Sequence, residues 1–249
     1  MIVVKSQREL NKMRTACRIT AETHALLAEK LAPGVSTGYL DQIAEDYILN
    51  QGAVPAFKGY RGFPSTLCVA INEEVVHGIP GSRILKEGDI IGLDIGVKKD
   101  GFYGDAAQTL PVGKISSQAE QLLKTAREAL SAGIEQAFAG NYLSDISHAV
   151  QVRAEKEGFS VVRRYVGHGI GRKMHEDPQV PNFGPPGQGV KLKAGMTLAI
   201  EPMVNLGVHE VEVLEDGWTV VTSDRMLSAH FEHTVVVKGS SPPEILTLI

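Results

Sequence analysis

The chain has 249 residues, with 25 Lys and Arg against 29 Asp and Glu and a formal net charge of -4, so it is long enough to bury a core without covalent staples. It has no run of Lys or Arg and therefore no electrostatic footprint for nucleic acid or an anionic membrane. Cys17 and Cys68 fit neither a disulfide framework nor a Cys-x-x-Cys motif, and no signal-like leader or apolar run of about 20 residues is present, so a cytoplasmic location is expected.

In chain order, Ser6 to Glu9 reads as a Ser-x-x-Glu capping box opening a helix with Leu10, Met13, Cys17, Leu27 and Leu31 on its apolar side. The turn Pro33-Gly34 leads to a shorter helix that ends at Gly52. Residues 89 to 112 read as a hairpin around Lys98-Lys99-Asp100-Gly101. A second box, Ser117 to Glu120, opens a helix with Leu122, Leu123, Ala126, Leu130, Ile134 and Phe138 on one side; Gly140 and another short helix ending at Gly158 follow. Residues 178 to 189 hold four prolines and three glycines and read as a loop. Residues 209 to 222 form a second hairpin around Glu215-Asp216-Gly217, and residues 228 to 237 a last strand.

The order helix, helix, strands thus occurs twice. Leu85-Lys86-Glu87-Gly88-Asp89 precedes Asp94 as Leu192-Lys193-Ala194-Gly195-Met196 precedes Glu201, each acid eight residues after the lysine. The offset 201 minus 94 is 107, and Ser36 to Leu143 gives the same figure. Such a period is too long for a solenoid unit, so the expectation is one α+β catalytic domain, residues 1-249, duplicated internally as halves of about 1-113 and 114-249. The matching acids should then face each other across a pseudo-twofold axis.

Asp94 and Asp105 lie eleven residues apart around the first turn, opposite or nearly opposite one another, with one residue of register left open by a potential bulge at Gly101. Directly opposed side chains sit about 4.5 to 5.5 Å apart at Cβ, where like charges repel. Among Ile90, Ile91, Leu93 and Ile95, such a pair needs a cation or a proton, unless it lies on a wet rim. Glu201 ends an apolar strand and is held extended by Pro202; Glu232 enters the strand Thr234-Val235-Val236-Val237. Any one of these is readily a satisfied structural acid, but four on strands would each need a partner. His168, in Gly167-His168-Gly169-Ile170-Gly171, is flanked by glycines that permit close backbone approach, and the segment lacks the spacing of a phosphate loop. One imidazole with four carboxylates suits a pair of Mn, Fe, Co or Zn ions and hydrolysis. His77 and His175 stand at comparable places in the halves, either as satisfied histidines or as donors to a substrate carbonyl and peptide nitrogen.

Taken together, Asn72-Glu73-Glu74-Val75-Val76-His77-Gly78-Ile79-Pro80, Asp94, Gly104-Asp105, Gly167 to Gly171, His175-Glu176-Asp177-Pro178, Ile200-Glu201-Pro202-Met203 and Phe231-Glu232-His233-Thr234 closely resemble the type I methionine aminopeptidases, of the pita-bread fold. The resemblance runs from the first helix to about Val237 and implies two pseudo-symmetric halves around a mainly antiparallel curved sheet. It implies that Asp94 chelates one ion, that His168 and Glu201 hold the other, and that Asp105 and Glu232 bridge both. Glu201 would also shuttle the proton, with His77 and His175 on the substrate peptide. Phe57, Tyr60, Phe63, Cys68, Met174 and Trp218 match the residues around the methionine side chain. At Phe57, Phe63 and Met174 bacterial relatives often carry Cys, Tyr and Phe, and at His230 usually Gln; His230 is read as hydrogen-bonding behind a metal ligand. The implied partners are N-termini of nascent polypeptides or peptides, the ribosome being one place to meet them, with no nucleic acid and no membrane, and the chain acting as a monomer. Only 26 residues separate His175 from Glu201, too few for the helical insertion of type II enzymes. The rival expectations are a proline-specific aminopeptidase or prolidase on the same fold, which usually carries a large N-terminal domain ahead of the repeat, a metal-free binding protein of that fold, and a Cys68 nucleophile paired with His77.

Overall fold

The computed structural model describes residues 2–239 and 241–249. Among these the elements are, in chain order, α1 (Gln7–Lys30), α2 (Thr37–Asn50), β1 (Val54–Pro55), β2 (Leu67–Ile71), β3 (Glu74–Val76), β4 (Ile90–Lys99), β5 (Phe102–Pro111), α3 (Ser117–Glu135), α4 (Leu143–Glu155), β6 (Ser160–Val161), β7 (Gly167–Gly169), β8 (Glu176–Val180), β9 (Thr197–Ile200), β10 (Met203–Asn205), β11 (Val211–Val213), β12 (Val220–Thr222), β13 (Ser228–His230), β14 (Glu232–Val236) and β15 (Glu244–Ile245). The principal sheet runs β1-β4-β5-β14-β9-β7-β8, with β2 also on β4 and β15 on β14, and all of its pairs are antiparallel. Two three-stranded sheets, β13-β10-β6 and β11-β12-β3, flank it.

Local chemistry sets the helix ends. Ser6 caps α1 as the sequence suggests, its backbone N–H donating to Glu9 Oε2 at 3.0 Å while Glu9 N–H donates to Ser6 Oγ. The second box is not formed: α3 is capped by Ser116, which accepts from Ala119 N–H at 3.2 Å, and Glu120 falls one position too late to close it. Two adjacent serines offer the same pattern, and the cap falls on the first. Phe138 also lies beyond α3, which ends at Glu135; it bridges to Lys238 instead. Gly52 and Gly158 follow α2 and α4 with φ of 60° and 82°, the left-handed geometry expected there.

The β4–β5 hairpin is unbroken from Lys99↔Phe102 to Ile90↔Pro111, so there is no bulge at Gly101. Asp100 and Gly101, with φ of 51° and 80°, form the two-residue turn. The second hairpin is wider: β11 and β12 are joined through residues 214 to 219, where Asp216 Oδ1 accepts from the N–H groups of Trp218 and Thr219. The segment read as a loop from Pro178 begins inside β8. That strand ends the sheet order, and an edge strand tolerates a residue without an N–H.

The alternation of β4 divides its side chains between two faces. Ile91, Leu93, Ile95 and Val97 pack with Ile19 and Leu27 of α1 and Leu40, Ala44 and Ile48 of α2, a core drawn from the first half of the chain. In the second half Leu198, Ile200 and Val235 pack with Leu122, Ala126 and Leu130 of α3. The two sets of strands join where β5 meets β14, and Thr234 pins that seam, accepting from Asp105 N–H at 3.1 Å and donating to Asp105 O at 2.7 Å.

Helix α1 approaches β5 most closely at Gly104, where a Cβ would stand 2.6 Å from Cys17 N and 2.7 Å from Cys17 Cα. Backbone on both sides leaves nothing flexible to yield. Gly104→Ala is therefore expected to lower stability by about 1 to 3 kcal/mol, the usual cost of overpacking. A denaturant midpoint unchanged from that of the parent chain would contradict this packing.

Candidate metal centre and substrate cavity

Register alone brings the five expected ligands to one face of the sheet. Asp94 pairs with Ala107, and Ala107 with Glu232. Asp105 lies two residues from Ala107 along β5, and its own partner is Gly96, so Asp94 and Asp105 are diagonal neighbours rather than directly opposed. Glu201 follows Ile200, the partner of His233, while His168 pairs with Ala199, two residues before Glu201. With a side-chain period of two, all five project away from the helices.

The side chains converge. One ligand atom from each of Asp105, His168 and Glu232 lies within 4.8 Å of the others. His168 Nε2 is 3.5 Å from Glu201 Oε1 and 3.8 Å from Asp105 Oδ2. Its Nδ1 meets the carbonyl of Gly169 at 2.9 Å, which places the ring proton there and leaves the Nε2 lone pair facing the acids. The flanking glycines are required by space: a Cβ at Gly167 would strike the Ala199 carbonyl, and one at Gly169 the Asp177 carbonyl.

Asp94 Oδ1, Asp105 Oδ1 and Glu232 Oε1 are buried without a hydrogen-bond partner, a costly state for a charged oxygen. Burial, then the neighbouring Asp105, drives Asp94, Glu201 and Glu232 well above the usual carboxylate range; burial pushes Asp105 up to about 7. Burial, then His175, pushes His168 down to about 3, so its imidazole is neutral. Oxygen-rich, partnerless and completed by one neutral imidazole, the set fits divalent metal.

Beside it lies a cavity of about 150 Å³. Phe57, Tyr60, Phe63, Cys68 and Trp218 form its apolar wall, and its floor reaches Asp94, Asp105, His168, Glu201 and Glu232. Phe63 meets Trp218 edge-on at 5.1 Å. Met174 is buried but stands outside this wall, beside Phe57, where Cε of Met174 and Cε1 of Phe57 both crowd Gly96. Two larger hollows, of about 620 and about 710 Å³, lie outside, but the acids converge on the small one.

His77 and His175 both line the cavity. His175 packs against the His168 ring at 4.3 Å and stacks on Tyr60 at 5.4 Å, with the Tyr60 hydroxyl 2.9 Å from its Nδ1. Partial desolvation, then the Arg61 guanidinium, holds His175 below the ordinary histidine range. His77 has a left-handed backbone, φ 63°, and meets Tyr165 edge-on; burial pushes it down to about 4. His230 is buried beneath, its Nε2 without a hydrogen bond and 3.7 Å from Glu201 Oε2. It thus faces Glu201, an expected ligand, at a separation too long for the hydrogen bond the sequence reading gave it. Sequence reasoning missed Tyr165 and Arg61. The latter, on the cavity wall in a left-handed conformation between two glycines, left only the pair Gly59 and Gly62 as a signal of a tight turn.

A buried carboxylate cluster with one imidazole, at the floor of a largely apolar cavity, fits a metal-dependent hydrolase. Residues 11–239 match metallopeptidase family M24. The chain is 55% identical over 249 residues to the methionine aminopeptidase of Clostridium perfringens, covering 100% of both. It is 56% identical over 237 residues to methionine aminopeptidase 1 of Bacillus subtilis, covering 95% of this chain and 96% of that one. The crystal structure of methionine aminopeptidase from Rickettsia prowazekii matches it with a TM-score of 0.98 at 41% identity, covering 100% of each chain. The chain therefore belongs to metallopeptidase family M24, in its methionine aminopeptidase branch, and its α+β architecture is the pita-bread fold.

The raised carboxylates carry a thermodynamic consequence. Ligands bind metal deprotonated, so at pH 6.5 to 7 the metal-free chain, with Asp105 near 7, should release about one proton or more on taking up Mn²⁺. Affinity should rise with pH across that range. Calorimetry in buffers of different ionisation enthalpy measures the release; an uptake enthalpy independent of buffer would mean that the acids are already ionised.

Proposed function

We propose that the chain removes the N-terminal methionine of nascent proteins and peptides when the second residue is small. The observation that supports this reading is the apolar cavity ending on the carboxylate and imidazole cluster, which offers a side chain a slot beside groups suited to metal-assisted hydrolysis. Asp94 would hold one divalent ion, His168 and Glu201 the other, with Asp105 and Glu232 bridging them; Mn, Fe, Co and Zn all suit these donors. What such ions supply when bound is Lewis acidity: an ionised water near neutral pH and a polarised carbonyl.

The chain's own groups do the rest. With the Tyr60 hydroxyl donating to His175 Nδ1, the one ring proton of the neutral imidazole sits on Nε2, from which it donates to the substrate carbonyl oxygen. His77, neutral at working pH, donates to the peptide nitrogen. Glu201 accepts the proton of the attacking water and returns it to the leaving amine. Phe63, Trp218, Tyr60 and Phe57 close an unbranched side chain between rings, and Cys68 offers sulfur to it. Burial, then Asp94 and Asp105, drives the Cys68 thiol well above its usual range, which argues against a thiolate nucleophile. We place this activity in the cytoplasm, on chains leaving the ribosome, with the protein acting as a monomer. No helix among the described residues is long and apolar enough to cross a membrane.

Chelation should abolish peptidase activity and Mn, Fe, Co or Zn restore it. His77→Ala and His175→Ala should each lower kcat by about 10² or more with metal retained; a variant that purifies metal-free would make that histidine a ligand instead. Met-Ala peptides should exceed Leu-Ala peptides in kcat/KM by about 10- to 200-fold, since a branch at Cγ must displace a ring. Equal cleavage of the two would remove methionine as the substrate side chain.

A further inference from the structure

The small cavity opens on a larger hollow of about 620 Å³, with which it shares Arg61, His168 and His175. A substrate whose first side chain fills the cavity and whose scissile carbonyl meets His175 must send its following residues this way. An extended chain advances about 3.3 Å per residue, so the third and fourth residues reach the hollow.

The charges of the hollow do not balance. Lys5 Nζ is paired with Glu176 Oε2 at 2.6 Å, and Arg172 Nη2 with Glu9 Oε1 at 3.0 Å. Asp177, which also lines it, has a partner of its own. Arg61 and Lys173 line it too, and neither forms an ion pair among the described residues. The surplus is therefore positive, and of the two residues Arg61 lines both spaces while Lys173 lines the larger one alone.

Arg61 is also held in an uncommon way. Its φ of 51° and ψ of 21° are left-handed, a conformation that L-residues avoid and that clusters at functional sites. The turn around it enforces this: Gly59 N–H donates to the Phe63 carbonyl at 2.7 Å, and Phe63 N–H to the Tyr60 carbonyl at 3.0 Å. The guanidinium lies over the Tyr60 ring, 5.5 Å from its centre, and the hydroxyl of that ring holds His175. A positive fork is thus fixed beside the residue that meets the scissile bond.

We propose that Arg61, with Lys173 as a second charge, makes this hollow a subsite for the third and fourth substrate residues, selecting Asp or Glu there over Lys or Arg. A carboxylate can accept from the guanidinium fork in two parallel hydrogen bonds, and an ammonium is repelled from the same place. The inference rests on the peptidase function proposed above.

Metal-loaded protein assayed on Met-Ala-Asp, Met-Ala-Gln and Met-Ala-Lys peptides, otherwise identical, tests it. For charges this exposed, the acidic peptide should exceed the basic one by roughly 5- to 20-fold in kcat/KM at low salt, chiefly through KM. The ratio should shrink at about 1 M salt, where the screening length is about 3 Å. Arg61→Gln should bring the ratio close to one, Arg61→Lys should keep part of it, and Lys173→Gln should lower it less; a ratio cancels any loss common to all three peptides. Equal cleavage of acidic and basic peptides by the parent chain would overturn the proposal. So would an undiminished ratio in the double variant Arg61→Gln, Lys173→Gln. Failure to cleave all three would overturn the peptidase reading itself, and this proposal with it.

Discussion

Four carboxylates buried on one face of a sheet repel one another, and the rest of the molecule is arranged so that they stay there. Asp94 and Asp105 come from one hairpin and Glu201 and Glu232 from the second half of the chain, and three of the four keep an oxygen with no hydrogen bond. Without cations, protons must take up the strain, which is why burial and mutual repulsion drive the group upward in pKa. The cluster is therefore destabilising as a piece of protein and becomes favourable only as a ligand set. Stability for holding it comes from the other face, where Ile91, Leu93 and Ile95 pack under α1 and α2, and Leu198 and Ile200 under α3.

Close backbone contacts also lie next to the candidate ligands Asp105 and His168. Gly104 precedes Asp105 and admits the backbone of α1; Gly167 and Gly169 flank His168 and admit neighbouring strands. Each glycine lets a rigid element seat directly behind Asp105 or His168, so the position of that side chain is fixed by main chain. At the seam between β5 and β14, Thr234 bonds both backbone groups of Asp105. Side chains placed by strands in this way are held more precisely than side chains on loops.

Much of this was legible in the sequence because the relevant signals are local or periodic. Ser6 with Glu9, the glycines after α2 and α4, and the Asp100-Gly101 turn act over a few residues, and the repeated lysine-to-acid spacing marks the two strands carrying Asp94 and Glu201. The exact relation of Asp94 to Asp105 was open only by the residue that a bulge would add, and the unbroken ladder settles it. What stayed hidden depends on tertiary position. Pro178 belongs to a strand because that strand is an edge. Ser116 takes the cap although Ser117 carries the better motif. Met174 has the chemistry of a pocket residue yet stands outside the cavity wall beside Phe57, so its influence on the cavity acts through that ring. Arg61 and Tyr165 were invisible because neither a charge in a turn nor a tyrosine after two arginines has a spacing that announces a site.

The placement of the histidines follows the same electrostatic logic one step outward. In a field set by four acids, an imidazole would be expected to take up a proton, yet His77, His168 and His230 are all pushed down by burial, to about 4, about 3 and about 3. Burial is the largest cause at each ring, and it outweighs any attraction from the neighbouring acids. A neutral imidazole can donate one hydrogen bond and accept another without changing the charge of the site. In the proposed reading the His168 ring would hold and the His77 and His175 rings would donate, and the contacts of His168 Nδ1 with the Gly169 carbonyl and of His175 Nδ1 with the Tyr60 hydroxyl leave Nε2 of each ring for that work.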